Sequence, residues 1–497
     1  MDMITDWFSK WAVYSPNKIA IKEQESGSEF SFQALNDYAN QASNYLRSEY
    51  NITKGDRIAV LAENCVEYLI LFAAAQKLGF ILVPLNYRLS SSEINYLLQD
   101  AEPQLLLFEE QFQEKVIQTD FYQTNLPKAL INNFLHTIQN QSTQLISTKI
   151  QANDPIFILY TSGSTGFPKG AKYTYKMLFW NSINTSMSLI VNTESRAINC
   201  MPPFHTGGWN VLTTPFIHHG GYTCLLKKFD AKTVLSLIES ERPTILFGVP
   251  TMMKMIADLP EFEKTDFSSI LYAIVGGEAM PISLIEKWQA KKVFIRQGYG
   301  MTEVGPNLTS LHQKDAIRKR GSIGKPNFYV DIKIIDENGE VCNRNQSGEL
   351  LLKGPMVTTG YWKNPEATQE TIKNDWFHTG DIVRQDEEGY LYIVDRIKNM
   401  YISGGENVYP AEVERVLLSH PQVSEIAIIP VEDEKWGVVG QAFIVSKTDE
   451  LNDKVLKAYC QDHLAKYKIP KYFKFIETLP KNDTGKIDRK ELRRNIH

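Results

Sequence analysis

The run Tyr160-Thr161-Ser162-Gly163-Ser164-Thr165-Gly166-Phe167-Pro168-Lys169-Gly170 follows an apolar stretch, Ile156 to Leu159. Its glycines let the backbone turn so that successive N–H groups face one point, a geometry that binds anions. Its hydroxyls add donors and Lys169 adds a positive charge, so a polyphosphate is the natural guest. A glycine- and serine-rich loop by itself is an ordinary surface loop; the closing Lys169-Gly170 turns the reading toward phosphate. The run is not a Walker A loop, because Pro168 stands where G-x-x-x-x-G-K needs its second glycine. It is not a G-x-S-x-G nucleophile elbow either.

Further motifs follow it in order: Phe204-His205, Gly276-Gly277-Glu278, Tyr299-Gly300-Met301-Thr302-Glu303, Thr379-Gly380-Asp381, Asp395-Arg396-Ile397-Lys398, Ser403-Gly404-Gly405-Glu406-Asn407 and Thr484-Gly485-Lys486. The set resembles the adenylate-forming superfamily, which holds the acyl-CoA synthetases, the adenylation domains of peptide synthetases and the beetle luciferases. The resemblance implies ATP-dependent conversion of a carboxylic acid to its acyl-adenylate, then transfer of the acyl group to a thiol. ATP, Mg²⁺ and coenzyme A are the implied cofactors.

The resemblance also assigns roles, and each has a physical reading. Thr161, Ser162, Gly163, Ser164, Thr165, Gly166 and Lys169 would cradle the phosphates. Glu303 is a hard carboxylate suited to Mg²⁺. Thr302 would donate to the α-phosphate and Tyr299 would stack on adenine, with Gly300 and Met301 beside it. Gly276, Gly277 and Glu278 would approach the base, and Asp381 with Arg396 would hold the ribose hydroxyls. His205 would border the acid's carboxylate and the path of the thiol. Lys486 would bridge the attacking carboxylate and the α-phosphate, stabilising charge that develops in the transition state. Lys398 matches the hinge about which the C-terminal part turns between half-reactions, and Gly404 and Gly405 would lie beside the pantetheine of CoA. The chain departs from these ligases at Asn399, where aspartate is frequent, and at Val438, where glutamate is common.

By family position the acid pocket draws on His205 to Leu212, Phe247 to Met252, Val275 to Met280 and Gln297 to Gly305. Trp209, Phe247 and Val249 make it apolar, Gly298 leaves room for a chain, and no cation stands in these segments to hold a second carboxylate. A monocarboxylic acid with a hydrophobic tail is expected, a medium or long fatty acid first and an aryl acid as the alternative. A ligase that loads a carrier protein and a luciferase-like acyl-adenylate oxygenase share the nucleotide motifs and remain open as readings.

These residues need a scaffold. Ile58 to Leu61, Phe80 to Val83 and Leu105 to Phe108 read as buried strands, separated by helices over Cys65 to Leu78 and from Ser90, where Ser90 and Glu93 form a capping box. Short apolar strands alternating with helices mean βαβ units and a parallel sheet, hence an α/β fold. Further strands are expected at 244–247, 271–275 and 293–295. From about residue 321 the rhythm becomes β-rich, with strands at 330–335, 348–353 and 390–394. The expected division is an adenylating domain over 1–395 (β-rich over about 321–395), a hinge at 396–400 and a small α+β domain over 401–497.

The 497 residues are 43% hydrophobic and 22% charged with a net charge of −5. That composition is globular and offers no basic stripe for nucleic acid. Five scattered cysteines with no C-x-x-C fit reduced thiols in a cytoplasmic protein. The most apolar stretch, Tyr68 to Leu85, is interrupted by Gln76, Lys77 and Gly79, so a buried helix and strand are expected there and no transmembrane span. A homodimer is an allowed assembly.

Overall fold

The computed structural model describes residues 4–494 except 147, 162–167, 278–279, 404–405, 434–436, 465 and 483–484. The chain divides into two compact units, Met1–Ile332 with Leu352–Phe377 and Lys333–Leu351 with His378–His497.

In the first unit, strands Arg57–Leu61, Ile81–Pro84 and Leu105–Phe108 pair in parallel, in keeping with short sequences that are apolar apart from Arg57. The same six-stranded sheet ends in the antiparallel pair Pro155–Thr161 and Lys169–Thr174. A second, four-stranded sheet joins Glu29–Ser31, Ile19–Glu23, Tyr222–Leu225 and Arg196–Asn199. In a third, Ile245–Gly248, Tyr272–Val275 and Ile295–Met301 run parallel, and Gly305–Leu311 and Ser322–Pro326 continue antiparallel. The expected capping box is present: Ser90 N–H donates to Glu93 Oε2 (2.8 Å) at the start of helix Ser91–Ala101.

Helix Val66–Leu78 is apolar all round and buried along nearly its whole length, ending at Gly79 with φ 77°. The polar interruptions of this stretch are built into its packing. Gln76 Oε1 accepts from the Trp7 amide, and Lys77 Nζ, on a fully buried side chain, reaches Asp6 (2.9 Å), Ser9 (2.9 Å) and Asn36 (2.8 Å). Burial lowers the Lys77 pKa, while Asp6 opposes that effect. No helix among the described residues is long and apolar enough to cross a membrane.

One strand differs from expectation in a way that matters. The strand expected to end at Ile295 instead begins there and runs to Met301, through two glycines. Pairing on both sides sustains it, and a glycine at 300 is required: a Cβ there would lie 2.2 Å from the Pro306 carbonyl oxygen.

In the second unit, Asp381–Gln385 pairs antiparallel with strand Leu391–Arg396. Val423–Asp433 and Gly437–Ser446 make a longer hairpin than their apolar centres indicate, with Tyr472–Phe475 parallel beside it. Helices Pro410–Leu418 and Asp453–His463 contribute Val413, Leu417, Leu456 and Cys460 to the core that covers this sheet.

Asp6 tests the buried lysine. Asp6→Asn keeps a side-chain oxygen to cap helix Trp7–Tyr14 but leaves the Lys77 ammonium without its counter-charge. Chemical denaturation is expected to show a loss of about 3 kcal/mol, and Lys77→Met should cost less because it removes the buried charge itself.

Candidate active site

The first unit assembles three separate segments around one carboxylate. Thr161 ends one strand of the hairpin and Lys169 begins the other, and the two are register partners. Glu303 lies in the turn Thr302–Val304 that follows strand Ile295–Met301. Tyr361 comes from the segment after Gly360, which is sewn to the hairpin strand by Lys172 N–H to Gly360 O (3.1 Å) and Trp362 N–H to Gly170 O (2.7 Å). Glu303 Oε1 accepts from the Tyr361 hydroxyl (3.1 Å) and lies 3.3 Å from Thr161 Oγ1. The Glu303 carbonyl accepts from the Thr358 amide (2.8 Å), and Lys169 Nζ stands 5.6 Å from the Tyr361 ring centroid. Burial, then the Glu303 charge, raises the Tyr361 pKa, so the phenol keeps the proton it donates.

Among the described residues, Glu303 Oε2 takes no hydrogen bond, and no group of three or more His, Cys, Asp or Glu side chains could hold a metal. A lone oriented carboxylate fits Mg²⁺, which keeps several waters and is commonly bound through one or two carboxylates together with substrate phosphates.

Elsewhere in the first unit the backbone is open. Gly277 has φ 87°, and a Cβ on it would meet Val249 Cγ1 at 3.6 Å; one on Gly276 would meet Gly298 O at 3.7 Å. A Cβ on Gly207 would meet the Phe247 ring at 3.9 Å. These contacts place Phe247 beside the His205 segment and Val249 and Gly298 beside the Gly276-Gly277 turn. Tyr299 is nearly buried, Met301 and Thr302 are half-buried, and the half-buried His205 ring lies 4.5 Å from that of Phe204. Trp209 is not brought to this group. Its ring packs against Tyr68, Phe72 and Phe157 in the core, and its Nε1 donates to Pro203 O (2.7 Å).

The second unit carries the remaining candidates. Asp381 and Arg396 are cross-strand partners joined by an ion pair of 2.8 Å, the carboxylate buried and the guanidinium half exposed. Asp395 accepts from the Ala411 amide (2.7 Å) and from Asn399 Nδ2 (3.1 Å). The asparagine at 399 therefore has a local reason, since an ionised aspartate there could not donate to Asp395. Lys486 is exposed at the end of a tight turn in which Gly485 has φ 82° and Asn482 N–H donates to Lys486 O (2.8 Å). Ser162, Gly163, Ser164, Thr165, Gly166, Glu278, Gly404 and Gly405 lie outside the described residues, as does the Lys398 side chain.

Two residues escaped the sequence reading. Tyr361 belongs to an aromatic pair between a glycine and the Asn364 helix cap, a weak signal for a contact spanning 58 residues. Arg296 immediately precedes the segment assigned to the pocket, and its buried position is not visible in the sequence.

The site thus joins a strand hairpin, an oriented carboxylate and glycine-lined backbone on an α/β fold, and likeness to known proteins gives its class. Residues 8–362 match the AMP-binding enzyme family and residues 412–486 match the AMP-binding enzyme C-terminal domain. The chain belongs to the AMP-binding enzymes and, within them, is an AMP-forming acyl-CoA synthetase, a ligase that uses ATP, Mg²⁺ and CoA. It is 36% identical to the long-chain-fatty-acid–CoA ligase FadD13 of Mycobacterium tuberculosis over 97% of this chain and 96% of that one. It is 35% identical to a feruloyl-CoA synthase of Amycolatopsis over 99% and 98%. Among solved structures it superposes on the O-succinylbenzoate coenzyme A synthetase of Bacillus subtilis, in complex with ATP and magnesium ion, with a TM-score of 0.87 at 31% identity, covering 98% and 99%.

Gly300→Ala probes the backbone of the site. Its Cβ meets a carbonyl oxygen that belongs to a paired strand, so the strand must shift. A loss of about 1–3 kcal/mol in denaturant unfolding is expected, whereas Gly276→Ala, whose Cβ meets nothing closer than 3.7 Å, should be milder.

Proposed function

We propose that the enzyme activates a hydrophobic carboxylic acid, and that the residues around Glu303 carry the first half-reaction. A carboxylate oxygen attacks the α-phosphorus of ATP in line, the acyl-adenylate forms and pyrophosphate leaves. The sulfur of CoA then attacks the acyl carbonyl, the thioester forms and AMP leaves. The reacting groups in the first step are both anions, so the site must supply positive charge and fixed orientation. Lys169 and Lys486 contribute the charge, and Thr302 donates to the α-phosphate. Mg²⁺, held through Glu303, would neutralise phosphate charge when bound. Asp381 and Arg396 hold the ribose, and Lys398 is the hinge for the change between steps. The single observation behind this reading is the Glu303 carboxylate, fixed through Oε1 with Oε2 left for a ligand.

The acid's chain lies along Phe247, Val249 and Gly298, beyond His205. Apolar walls support a medium or long fatty acid. An aryl acid is favoured by a different observation: beyond Gly298 the lining turns polar, with Arg296, Asn307, Ser310 and Asn327, and the buried guanidinium suits an oxygen-bearing tail better than a bare alkyl one. The relatives' names span both classes. Five cysteines free of disulfides support a cytosolic setting. Pyrophosphate release across a panel of alkyl and aryl acids, with and without CoA, separates these readings; light or oxygen consumption without CoA would point to an oxygenase instead.

Glu303→Gln is expected to lower ATP–pyrophosphate exchange by about 10²-fold at saturating acid. Tyr361→Phe keeps the ring beside Lys169 and loses only the donor; it should raise the Mg²⁺ concentration needed for half-maximal exchange without moving the midpoint of unfolding. Exchange at the wild-type level in Glu303→Gln would remove Glu303 from the metal-handling role.

Lys486→Ala should separate the half-reactions. Acid with ATP should yield almost no adenylate, while pre-formed acyl-adenylate with CoA should still give acyl-CoA at a substantial rate. The side chain is exposed, so stability should change by no more than about 0.5 kcal/mol. Normal adenylation by this variant would leave Lys486 a solvated lysine.

A further inference from the structure

Arg296 is a buried arginine without an acid. It is 4% exposed, yet none of its contacts is a carboxylate among the described residues. Its guanidinium lies over the Tyr272 ring at 4.3 Å, Nε donates to Gln313 Oε1, and Nη1 donates to Ser188 O in the last turn of helix Tyr175–Leu189. These partners fix one edge of the group, and a cation is favoured at a helix C-terminus. They leave the other edge open: Nη2 makes no hydrogen bond among the described residues. A desolvated guanidinium with free donors is expensive unless something accepts from it.

A strand sends alternate side chains to opposite faces, so Arg296 and Gly298 share a face of strand Ile295–Met301. Because Gly298 has no side chain, the space over it stays open. There the structure has a narrow recess of about 10 Å³, room for one water-sized group, lined by Ile274, Gly298, Asn307, Ser310 and Asn327 with Arg296. Gly298 is also the residue whose carbonyl faces Gly276 in the proposed acid pocket. Along the strand it lies at most about 13 Å from Thr302, at ~3.3 Å per residue. An acid of arylalkenoic or mid-length aliphatic size, held by its carboxyl near Thr302, would therefore place a single terminal oxygen in this recess.

We propose that the recess is the tail subsite of the acid and that Arg296 recognises an acceptor oxygen, an aryl hydroxyl or a second carboxylate, at the far end of the substrate. This rests on the acid-pocket reading above and adds a selection rule to it. Asn307 and Asn327 spend their Nδ2 donors within the protein, on Thr185, Asn210 and Val211 and on the Asn307 carbonyl, so Arg296 is the donor left for that oxygen. A guanidinium presents paired donors that suit a carboxylate or a phenolic oxygen, and a lysine in its place would offer only a point charge.

The competing explanation is that Arg296 only caps the helix and stacks on Tyr272. Two matched pairs of probe acids decide between them: cinnamic against 4-hydroxycinnamic acid, and dodecanoic against dodecanedioic acid. Binding is measured by calorimetry on the full chain without ATP, and pyrophosphate release is measured separately. The wild type should bind the oxygenated member of at least one pair about tenfold more tightly, and which pair does so tells phenol from carboxylate. Arg296→Met should collapse that ratio toward unity, and Arg296→Lys should recover part of it for the dicarboxylate. Should Arg296→Met not fold, the wild-type ratios and Gly298→Val, which fills the mouth of the recess and should abolish the preference, still decide. Equal binding within both pairs, or a preference that survives in Arg296→Met, overturns the proposal. Selective binding without pyrophosphate release would uphold the subsite while overturning the adenylation reading.

Discussion

The first unit depends on the way Glu303 is held. A glutamate on a short turn has three rotatable side-chain bonds and many orientations. Here Tyr361 and Thr161 both address Oε1, from segments that sequence places far from Glu303 and from each other. The backbone ladder between Gly170–Lys172 and Gly360–Trp362 keeps Tyr361 in place. The same ladder fixes Lys169, because Lys169 begins the strand to which Tyr361 is sewn. One carboxylate thus reports on three segments, and its orientation exists only when all three are folded.

The glycine-lined segments follow a different logic. Around Glu303, polar groups define position; along Gly276, Gly277, Gly298 and Gly300, the absence of side chains does. Gly300 is required by a neighbouring backbone, whereas Gly298 opens space that a ligand can use. Farther along the same strand, Arg296 brings a charge into that space. The recess beside it is lined by Asn307, Ser310 and Asn327 as well as by Ile274.

In the second unit, hairpin geometry presents the functional groups. Cross-strand register sets Asp381 against Arg396. A glycine with positive φ turns the chain so that Lys486 is offered to solvent from a closed loop. The contacts of Asp395 with Asn399 and Ala411 tie the segment after Arg396 to helix Pro410–Leu418.

The sequence by itself determined the α/β class, the buried helix Val66–Leu78, the Ser90 capping box and the family of enzymes to which the chain belongs. These are local: hydrophobic runs, side chains that bond within three residues, and glycines whose backbone freedom is intrinsic. The longer reach of strand Ile295–Met301 was not legible, because pairing on both edges overrode the glycines within it. Trp209 has the composition of a pocket residue and stands beside His205, yet it packs against Tyr68, Phe72 and Phe157, since the helix beneath it offered a larger apolar surface. Tyr361 and Arg296 were decided only by tertiary structure. The hydroxyl of Tyr361 reaches a carboxylate 58 residues away, and the guanidinium of Arg296 is enclosed by a helix and strands that approach it from both directions along the chain. A residue's type and spacing state what it can do; the folded chain alone sets which groups stand within hydrogen-bond reach and which have lost the water that would otherwise satisfy them.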